Sequence, residues 1–190
     1  MTFRKCDEDS AARAADFLRQ GDIVVLPTDT VYGFSGIVDG DQYAFHTDKN
    51  IRAIKGRGDD KPFIQLLAKP GDVQKYARDR IPDRILARWP GALTVIVRTA
   101  EDGGTTAFRC PGDEWLRAVI ARVGAPIYST SVNRSGQPVL DNAQDIERAF
   151  GGEVAAIIDG GSMRGSVPST IVAVAPDGSV SLVRQGAVTL

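Results

Sequence analysis

The stretch DIVVLPTDTVYG, residues 22–33, decides the fold. Its first half is an apolar run that ends at Pro27, a pattern typical of a β-strand buried on both faces. Its second half, residues 27–33, is polar and rich in hydroxyl groups, and a second β-like stretch follows up to Val38. Strands buried on both faces are typical of α/β proteins, whose ligands bind in loops at the ends of strands. The stretch therefore predicts an α/β sheet protein with a ligand site beside residues 27–33.

Predicted helices and strands intermix on both sides of this stretch, as in other α/β proteins. A helix capped by Ser10 and ended near Gly21 precedes it, and a helix over residues 41–54 follows it. Residues 176–178, Pro-Asp-Gly, are a hairpin signal between the last two strands. The other predicted strands cover residues 62–68, 93–98, 105–109, 126–131, 154–159, 169–174 and 180–184, and the other predicted helices cover residues 72–78, 82–88, 113–123 and 142–150.

Length and composition indicate one folded domain over residues 1–190. A chain that is 43% hydrophobic and 25% charged has the profile of an ordinary globular protein, which excludes disordered and fibrous classes. The 23 basic residues nearly cancel the 24 acidic ones, giving a formal charge of −1. A non-specific polyanion binder would show a strong basic excess, so that class is not favoured.

The cysteines and the first residues point to the cytoplasm. Cys6 and Cys110 are too few and too far apart for a disulfide framework or a metal cluster, which predicts two reduced thiols. The first ten residues include five charged side chains, so no signal peptide is expected. The apolar runs are shorter than the roughly 18 residues that a membrane helix needs. We expect a cytoplasmic protein without membrane contact.

The common nucleotide and catalytic motifs are missing from the sequence. No G-x-G-x-x-G follows a strand, and residues 160–166, GGSMRGS, lack the lysine of a P-loop. His46 is the only histidine, which excludes a histidine-based triad and a multi-histidine metal site. We expect His46 on a helix surface. No cysteine or carboxylate cluster has metal-ligand spacing, so we predict no metal-binding residue.

Hydroxyl groups and cations replace apolar residues where the predicted strands and helices end. Cations grouped in this way indicate an anionic ligand. Each group also has a simpler interpretation: cations at 55–57 suit a helix terminus, residues 131–136 have turn composition, Thr28 and Thr30 can cap a turn, and Arg109 can simply end a strand. The positions are Thr28 to Tyr32, Lys55, Arg57, Lys61, Arg109, Ser129 to Asn133, Ser169, Thr170 and Arg184.

Several short motifs in one order resemble the YrdC/Sua5 family. The family's defining combination, K-x-R with S-x-N, is met by Lys55, Arg57, Ser131 and Asn133. The resemblance covers about residues 21–186. Its motifs are PTDTVYG at 27–33, KGR at 55–57, WPGALTVIV at 89–97, RCP at 109–111, STSVN at 129–133 followed by SGQPV, PST at 168–170 and RQG at 184–186.

The resemblance implies a single domain built on a twisted, mostly parallel open sheet with flanking helices and a concave positive cavity. It implies an enzyme, a nucleotidyltransferase that joins L-threonine, bicarbonate and ATP into threonylcarbamoyl-AMP and releases pyrophosphate. That product feeds the threonylcarbamoyl modification of adenosine 37 in tRNA, so proteins of this pathway are implied partners. Mg²⁺ is expected with ATP, and no organic cofactor is implied.

The family's pattern assigns roles to individual residues. Lys55 and Arg57 are the predicted catalytic residues, because transfer at a phosphate is catalysed mainly by placement and positive charge. The predicted ATP contacts are Lys55, Arg57, Arg109, Ser131, Asn133 and Arg184. The predicted threonine contacts are Thr28, Tyr32, Lys61, Ser129 and Ser169; for Tyr32, packing is the alternative.

Two departures from the family's pattern leave other functions open. Gly58 stands where many relatives have proline, and Lys61-Pro62 stands where they have His-Pro, so the Lys61 ammonium would favour a carboxylate or phosphate. One alternative is a relative that binds double-stranded RNA or tRNA without synthase activity. The other is a relative that forms a carbamoyl-adenylate from carbamoyl phosphate. RNA binding would use a basic concavity of Lys55, Arg57, Arg109, Arg134, Arg164 and Arg184.

Overall fold

Ten strands form a single sheet in the computed structural model, which describes residues 1–40, 44–56, 58, 62–100 and 104–190. Several strands are only three residues long, because polar loops begin soon after each apolar run. The strands are β1 (Thr2–Arg4), β2 (Val24–Leu26), β3 (Gly33–Ile37), β4 (Ile64–Leu66), β5 (Leu93–Arg98), β6 (Thr105–Arg109), β7 (Ile127–Ser131), β8 (Ala156–Asp159), β9 (Thr170–Val174) and β10 (Val180–Arg184).

The strands lie in the order β1-β8-β2-β3-β7-β4-β6-β5-β9-β10. Within the described residues, four neighbouring pairs are parallel and five are antiparallel. The α/β fold is therefore confirmed, but the expectation of a mostly parallel sheet is wrong: the sheet is mixed. For the strand pairs that follow each other in the chain, the reason is the length of the connections. Loops such as residues 27–32 and 175–179 are too short for a crossover, so they turn the chain back as antiparallel hairpins.

In the part of the chain that the structure describes, five α-helices flank the sheet, and side chains cap the first turns of two of them. Asp113 accepts a hydrogen bond from the Leu116 amide at 2.9 Å, and Asn142 accepts one from the Asp145 amide at 2.9 Å, so both are N-caps. The helices are α1 (Ser10–Arg19), α2 (Thr47–Lys55), α3 (Asp83–Leu86), α4 (Glu114–Val123) and α5 (Ala143–Phe150), with a 3₁₀ helix at Pro70–Lys75.

Helix α2 begins six residues later than the sequence predicts. Asp39 accepts hydrogen bonds from the backbone N–H groups of Phe45 and His46, which holds that segment as a loop. His46 immediately precedes the helix and has a left-handed φ of 55°. The right-handed helix therefore cannot extend back through this residue. His46 is exposed, but at the N-cap of the helix. Residues 41–43, which the prediction included, lie outside the described residues.

The core consists of apolar clusters on both faces of the sheet. Val24 belongs to a cluster with α1 and α4, whereas the next residue, Val25, belongs to a cluster with α5 and α2, as alternation along a strand requires. A third cluster lies under α3 and the 3₁₀ helix. Within the described ranges, none of the helices combines the length and apolar character needed to cross a bilayer.

Candidate active site

A cavity of about 340 Å³ lies between the 27–33 loop, strands β4, β6 and β7, and the ends of β9 and β10. Seven of the eleven predicted site residues line it, although they come from five separate segments of the chain. Chain folding thus brings most of the motifs to one place. The seven are Thr28, Tyr32, Arg109, Ser129, Ser131, Ser169 and Arg184.

Thr28 organises the loop that follows β2. Its Oγ1 donates to the Val31 carbonyl at 2.8 Å and accepts from the Thr30 amide at 3.0 Å. The Thr28 and Thr30 hydroxyl oxygens also lie 2.9 Å apart. Both residues are buried, so the turn interpretation of these threonines is correct for their hydrogen bonds. The same turn places both side chains in the cavity wall.

Arg109 is a buried cation paired with a carboxylate. It is only 4% exposed; its Nη2 donates to Asp29 at 2.5 Å, and its Nη1 donates to Thr30 at 2.9 Å. Burial lowers the pKa of the Arg109 guanidinium, and the charge of Asp29 acts in the opposite direction. Arg109 therefore lies beside the hydroxyl groups of Thr28 and Thr30, and Asp29 balances its positive charge within the protein.

Arg184 supplies a second cation in the cavity wall. Its Nη2 donates to the Ser169 carbonyl at 2.8 Å, and Ser169 Oγ lies 2.8 Å from the buried hydroxyl of Thr94. Partial burial lowers the pKa of Arg184, but no carboxylate of the described residues forms an ion pair with it. Its charge is therefore available to an anionic ligand.

The segment after Arg184 packs closely on residues 168–170. A Cβ atom on Gly186 would lie 2.3 Å from the Pro168 carbonyl oxygen, so only glycine fits there. The Gly186 amide donates to Thr170 Oγ1 at 3.0 Å. The RQG motif thus fixes the backbone that carries both Ser169 and Arg184.

Strand β7 presents two serines to the cavity, Ser129 and Ser131. A Cβ atom on Gly33, which pairs with Ser131 across the strands, would come within 2.7 Å of Ser129 Oγ. Within the described part of the chain, Ser129 Oγ forms no hydrogen bond. The glycine leaves space for a hydroxyl group that a ligand can reach.

Lys55 and Asn133 stand behind the cavity wall and do not line it. Lys55 is 3% exposed, and its Nζ donates to the Ser131 carbonyl and to the Asn133 carbonyl and side-chain oxygens, the last two at 3.0 and 2.9 Å. Ser131 Oγ donates to Asn133 Oδ1 at 2.8 Å. The K-x-R lysine and the S-x-N motif therefore form one hydrogen-bonded unit that fixes the end of β7.

Tyr32 lines the cavity while its hydroxyl group has a structural role. The hydroxyl donates to the Gly161 carbonyl at 2.7 Å and accepts from the Gly160 amide at 2.9 Å. Burial raises the pKa of the Tyr32 phenol, so it stays protonated at neutral pH. These contacts are structural, in line with the alternative interpretation that Tyr32 packs against the protein. Arg57 and Lys61 lie outside the described residues.

The sequence pattern assigned no role to two kinds of site residue. Asp29, which pairs with Arg109, lies inside PTDTVYG and is the only carboxylate of that motif, a signal that could have identified it. The apolar lining, Val31, Ile64, Val139 and Ile171, carries no chemical signal in the sequence.

Among the described residues, the predicted loop cations do not form one basic concavity. Arg134 forms an ion pair with Glu153 and donates to the Ile54 carbonyl, and Arg109 is neutralised by Asp29. Arg164 is exposed in the loop after β8 and is absent from the cavity lining. These pairings do not favour RNA binding through the cavity. Among the described residues, no cluster of three or more histidine, cysteine or acidic side chains could hold a metal ion.

Comparison with known proteins gives the family. The Sua5/YciO/YrdC family model, whose description reads "Telomere recombination", matches residues 16–186, which include every motif of the cavity. The chain belongs to the Sua5/YciO/YrdC family. The resemblance of the motifs to YrdC/Sua5 is thereby confirmed.

Two curated members of the family are named threonylcarbamoyl-AMP synthase. The Bacillus subtilis protein is 32% identical over 96% of this chain and 55% of its own length. The Pyrococcus abyssi protein is 36% identical over 84% of this chain and 49% of its own length. The chain thus spans about half the length of these relatives.

The solved structures support the same assignment. The crystal structure of P. abyssi Sua5 complexed with L-threonine has a TM-score of 0.83 to this chain at 31% identity. The match covers 98% of this chain and 57% of that one. The Sua5 fold is therefore present across nearly all of the chain.

Proposed function

We propose that the chain synthesises threonylcarbamoyl-AMP from L-threonine, bicarbonate and ATP, with release of pyrophosphate. The observation that carries the proposal is the convergence of Thr28, Arg109, Ser129, Ser169 and Arg184 on one cavity. The names of the related synthases and the threonine bound by a related structure support it. The cytoplasm, where ATP and L-threonine are abundant, is the proposed location, and residues 1–190 act as one domain.

The chemistry requires positive charge and placement more than a strong base. The amine of threonine takes up bicarbonate and loses water to give a carbamate, whose oxygen then attacks the α-phosphorus of ATP. An oxygen–phosphorus bond forms, the bond to the β-phosphate oxygen breaks, and pyrophosphate leaves with the electron pair. Two anions must meet in this step, so cations held in place lower its barrier.

By their hydrogen-bond contacts, the cavity residues divide into a group that suits ATP and a group that suits threonine. Arg184, with no carboxylate partner among the described residues, and Ser131 suit the phosphates of ATP. Thr28, Ser129 and Ser169 suit the hydroxyl and carboxylate groups of threonine. A matched hydroxyl partner discriminates against analogues that lack the group by up to about 10⁴-fold.

Three predicted roles change, and two others rest on the motif alone. Lys55, tied to Ser131 and Asn133, acts by holding the S-x-N segment in place. Asn133 supports the same unit, and Arg109, hydrogen-bonded to Thr30, serves the threonine end of the cavity. Arg57 and Lys61 keep the roles that the family pattern gives them. Mg²⁺ arrives with ATP; the described residues offer it no ligand cluster, so no step is assigned to it.

The test is incubation of the purified chain with ATP, bicarbonate and single amino acids, followed by mass detection of the adenylate and of pyrophosphate. Threonine gives threonylcarbamoyl-AMP, and the Arg184→Gln variant gives at least about tenfold less at limiting ATP. Carbamoyl phosphate in place of bicarbonate and threonine tests the carbamoyl-adenylate alternative. The proposal fails if threonine yields no adenylate while the B. subtilis synthase yields it under the same conditions.

A further inference from the structure

Asp29 connects two motifs of the cavity, yet neither motif gives it a role. Its Oδ1 accepts from Arg109 Nη2 at 2.5 Å, and its Oδ2 accepts from the Gly112 amide at 2.8 Å. The carboxylate thereby joins the loop after β2 to the loop after β6. A Cβ atom on Gly112 would lie 3.1 Å from Asp29 Oδ2, so the small residue permits this close contact.

The Arg109 guanidinium is held at two of its three nitrogens. Nη2 binds Asp29 and Nη1 binds Thr30, while the third nitrogen, Nε, is buried and has no partner among the described residues. A buried donor left unpaired costs about 1–3 kcal/mol. Arg109 also lines the cavity. Its Nη1 and Nη2 each carry a second N–H group beyond the one bonded to Thr30 or Asp29, and these donors can meet a ligand there.

A buried cation also needs a nearby negative charge, because burying an unpaired charge carries a large desolvation cost. The Arg109 side chain is 5% exposed and the Asp29 side chain 17%, so the pair is largely shielded from water. The Asp29 carboxylate therefore affects both the orientation of the Arg109 guanidinium and the net charge of this part of the cavity wall.

We propose that Asp29 is a positioning residue: it holds the Arg109 guanidinium in the orientation that binds the carboxylate end of the amino-acid substrate. The inference rests on the proposed function, since it names how that site holds its substrate. Asp29 itself does not line the cavity and acts through Arg109.

The test is calorimetric titration of the full chain with L-threonine and, separately, with ATP. Asp29→Asn keeps the shape of the side chain but removes its charge. We expect threonine to bind about tenfold more weakly to Asp29→Asn and to Arg109→Met, while ATP binds within about twofold of the original chain. The double variant binds threonine no more weakly than Arg109→Met alone, because Asp29 acts only through that arginine.

Asp79→Asn is the matched control. Asp79 forms a two-bond ion pair with Arg98, at 2.6 and 3.0 Å, with an Asp79 side chain 9% exposed and away from the cavity. This variant lowers stability without changing threonine affinity. If Asp29→Asn does not fold, Asp29→Glu, which keeps the charge on a longer arm, is titrated instead.

The outcomes separate the two proposals. Unchanged threonine binding in Asp29→Asn, additive losses in the double variant, or equal losses for both ligands overturn the role of Asp29. A chain that binds neither threonine nor ATP overturns the proposed function. In that case the Arg109 Nε–H signal in a nitrogen-resolved NMR spectrum still tests the placement. It shifts in Asp29→Asn if Asp29 orients the guanidinium, and an unchanged signal contradicts the inference.

Discussion

At the scale of single residues, Lys55 shows how a cation can serve the site without facing it. Its ammonium group holds three oxygens of Ser131 and Asn133, and it is almost completely buried. Its removal takes one hydrogen-bond donor from each of these oxygens. Lys55→Met should therefore lower the free energy of unfolding by about 1–3 kcal/mol and raise the apparent KM for ATP. Urea denaturation and steady-state kinetics measure the two effects.

Lys49 provides the control for this prediction, because it lies on the same helix and is exposed. Lys49→Met should leave both quantities nearly unchanged, since exposed substitutions seldom exceed about 0.5 kcal/mol. Equal behaviour of the two variants would show that the contacts of Lys55 do not stabilise the S-x-N segment.

The two cysteines should differ in reactivity. Cys6 is exposed, whereas Cys110 is fully buried and burial raises the pKa of its thiol to about 11. The thiolate is the reactive form, so at pH 8 the Cys110 thiol is protonated as well as inaccessible. A colorimetric thiol reagent should modify one cysteine in the folded protein and two in denaturant. Rapid reaction of both in the folded protein would contradict the buried position of Cys110.

Gly33 controls a hydroxyl group of the cavity. A Cβ atom there would come within 2.7 Å of Ser129 Oγ, which can rotate away. Gly33→Ala should therefore cost little stability but raise the KM for threonine by about fivefold, the loss of one hydrogen bond. Gly71→Ala, where a Cβ atom meets nothing within 4 Å, is the control for kinetics and thermal unfolding. A selective loss of stability with unchanged KM would refute this role for Gly33.

At the scale of elements, the RQG segment determines whether β9 and β10 hold the cavity wall together. A Cβ atom on Gly186 meets backbone atoms of residues 168–170 at 2.3–2.5 Å, and backbone cannot rotate away as a side chain can. Gly186→Ala should destabilise the protein by about 1–3 kcal/mol and weaken ATP binding through Arg184. Gly152→Ala, which meets open space, should do neither. Denaturant unfolding and ATP titration compare the two.

The elements also show what the sequence can and cannot predict. Strands β5, β6 and β10 begin and end at the predicted residues, because glycine- or proline-containing turn sequences flank them. Strand β1, three residues long, was missed, since it becomes a strand only through its pairing with β8. The start of α2 was wrong because Asp39, distant from the apolar pattern, holds residues 45 and 46 out of the helix. Interactions beyond the local pattern decided each difference.

At the scale of the whole molecule, the motifs predicted that hydroxyl groups and cations converge, and seven of the predicted residues do line one cavity. The motifs could not predict which cations stay unpaired there. Asp29 neutralises Arg109 across 80 positions of the chain, and Glu153 pairs with Arg134. Such pairings depend on tertiary structure, so neither the charge of the cavity nor the mixed sheet could be derived from composition.

Ligand binding should be visible as a change in global stability. A ligand at 100 times its Kd stabilises the folded state by about 2.7 kcal/mol. For a chain of this length that raises the Tm by roughly 5–10 °C. Magnesium ATP should produce this shift in differential scanning fluorimetry, and Arg184→Gln should reduce it strongly. An undiminished shift in the variant would mean that ATP binds elsewhere.

The pairing of β1 with β8 has a consequence for how the chain folds during synthesis. The backbone at residue 1 is hydrogen-bonded to that at residue 155, so β1 waits during synthesis for a partner made some 150 residues later. While the ribosome extends the chain, Thr2–Arg4 has nowhere to dock, and β2 lacks the same neighbour. The edge of the sheet formed by β1, β8 and β2 therefore assembles late in translation. A nascent chain halted before residue 156 leaves it open to chaperones and proteases.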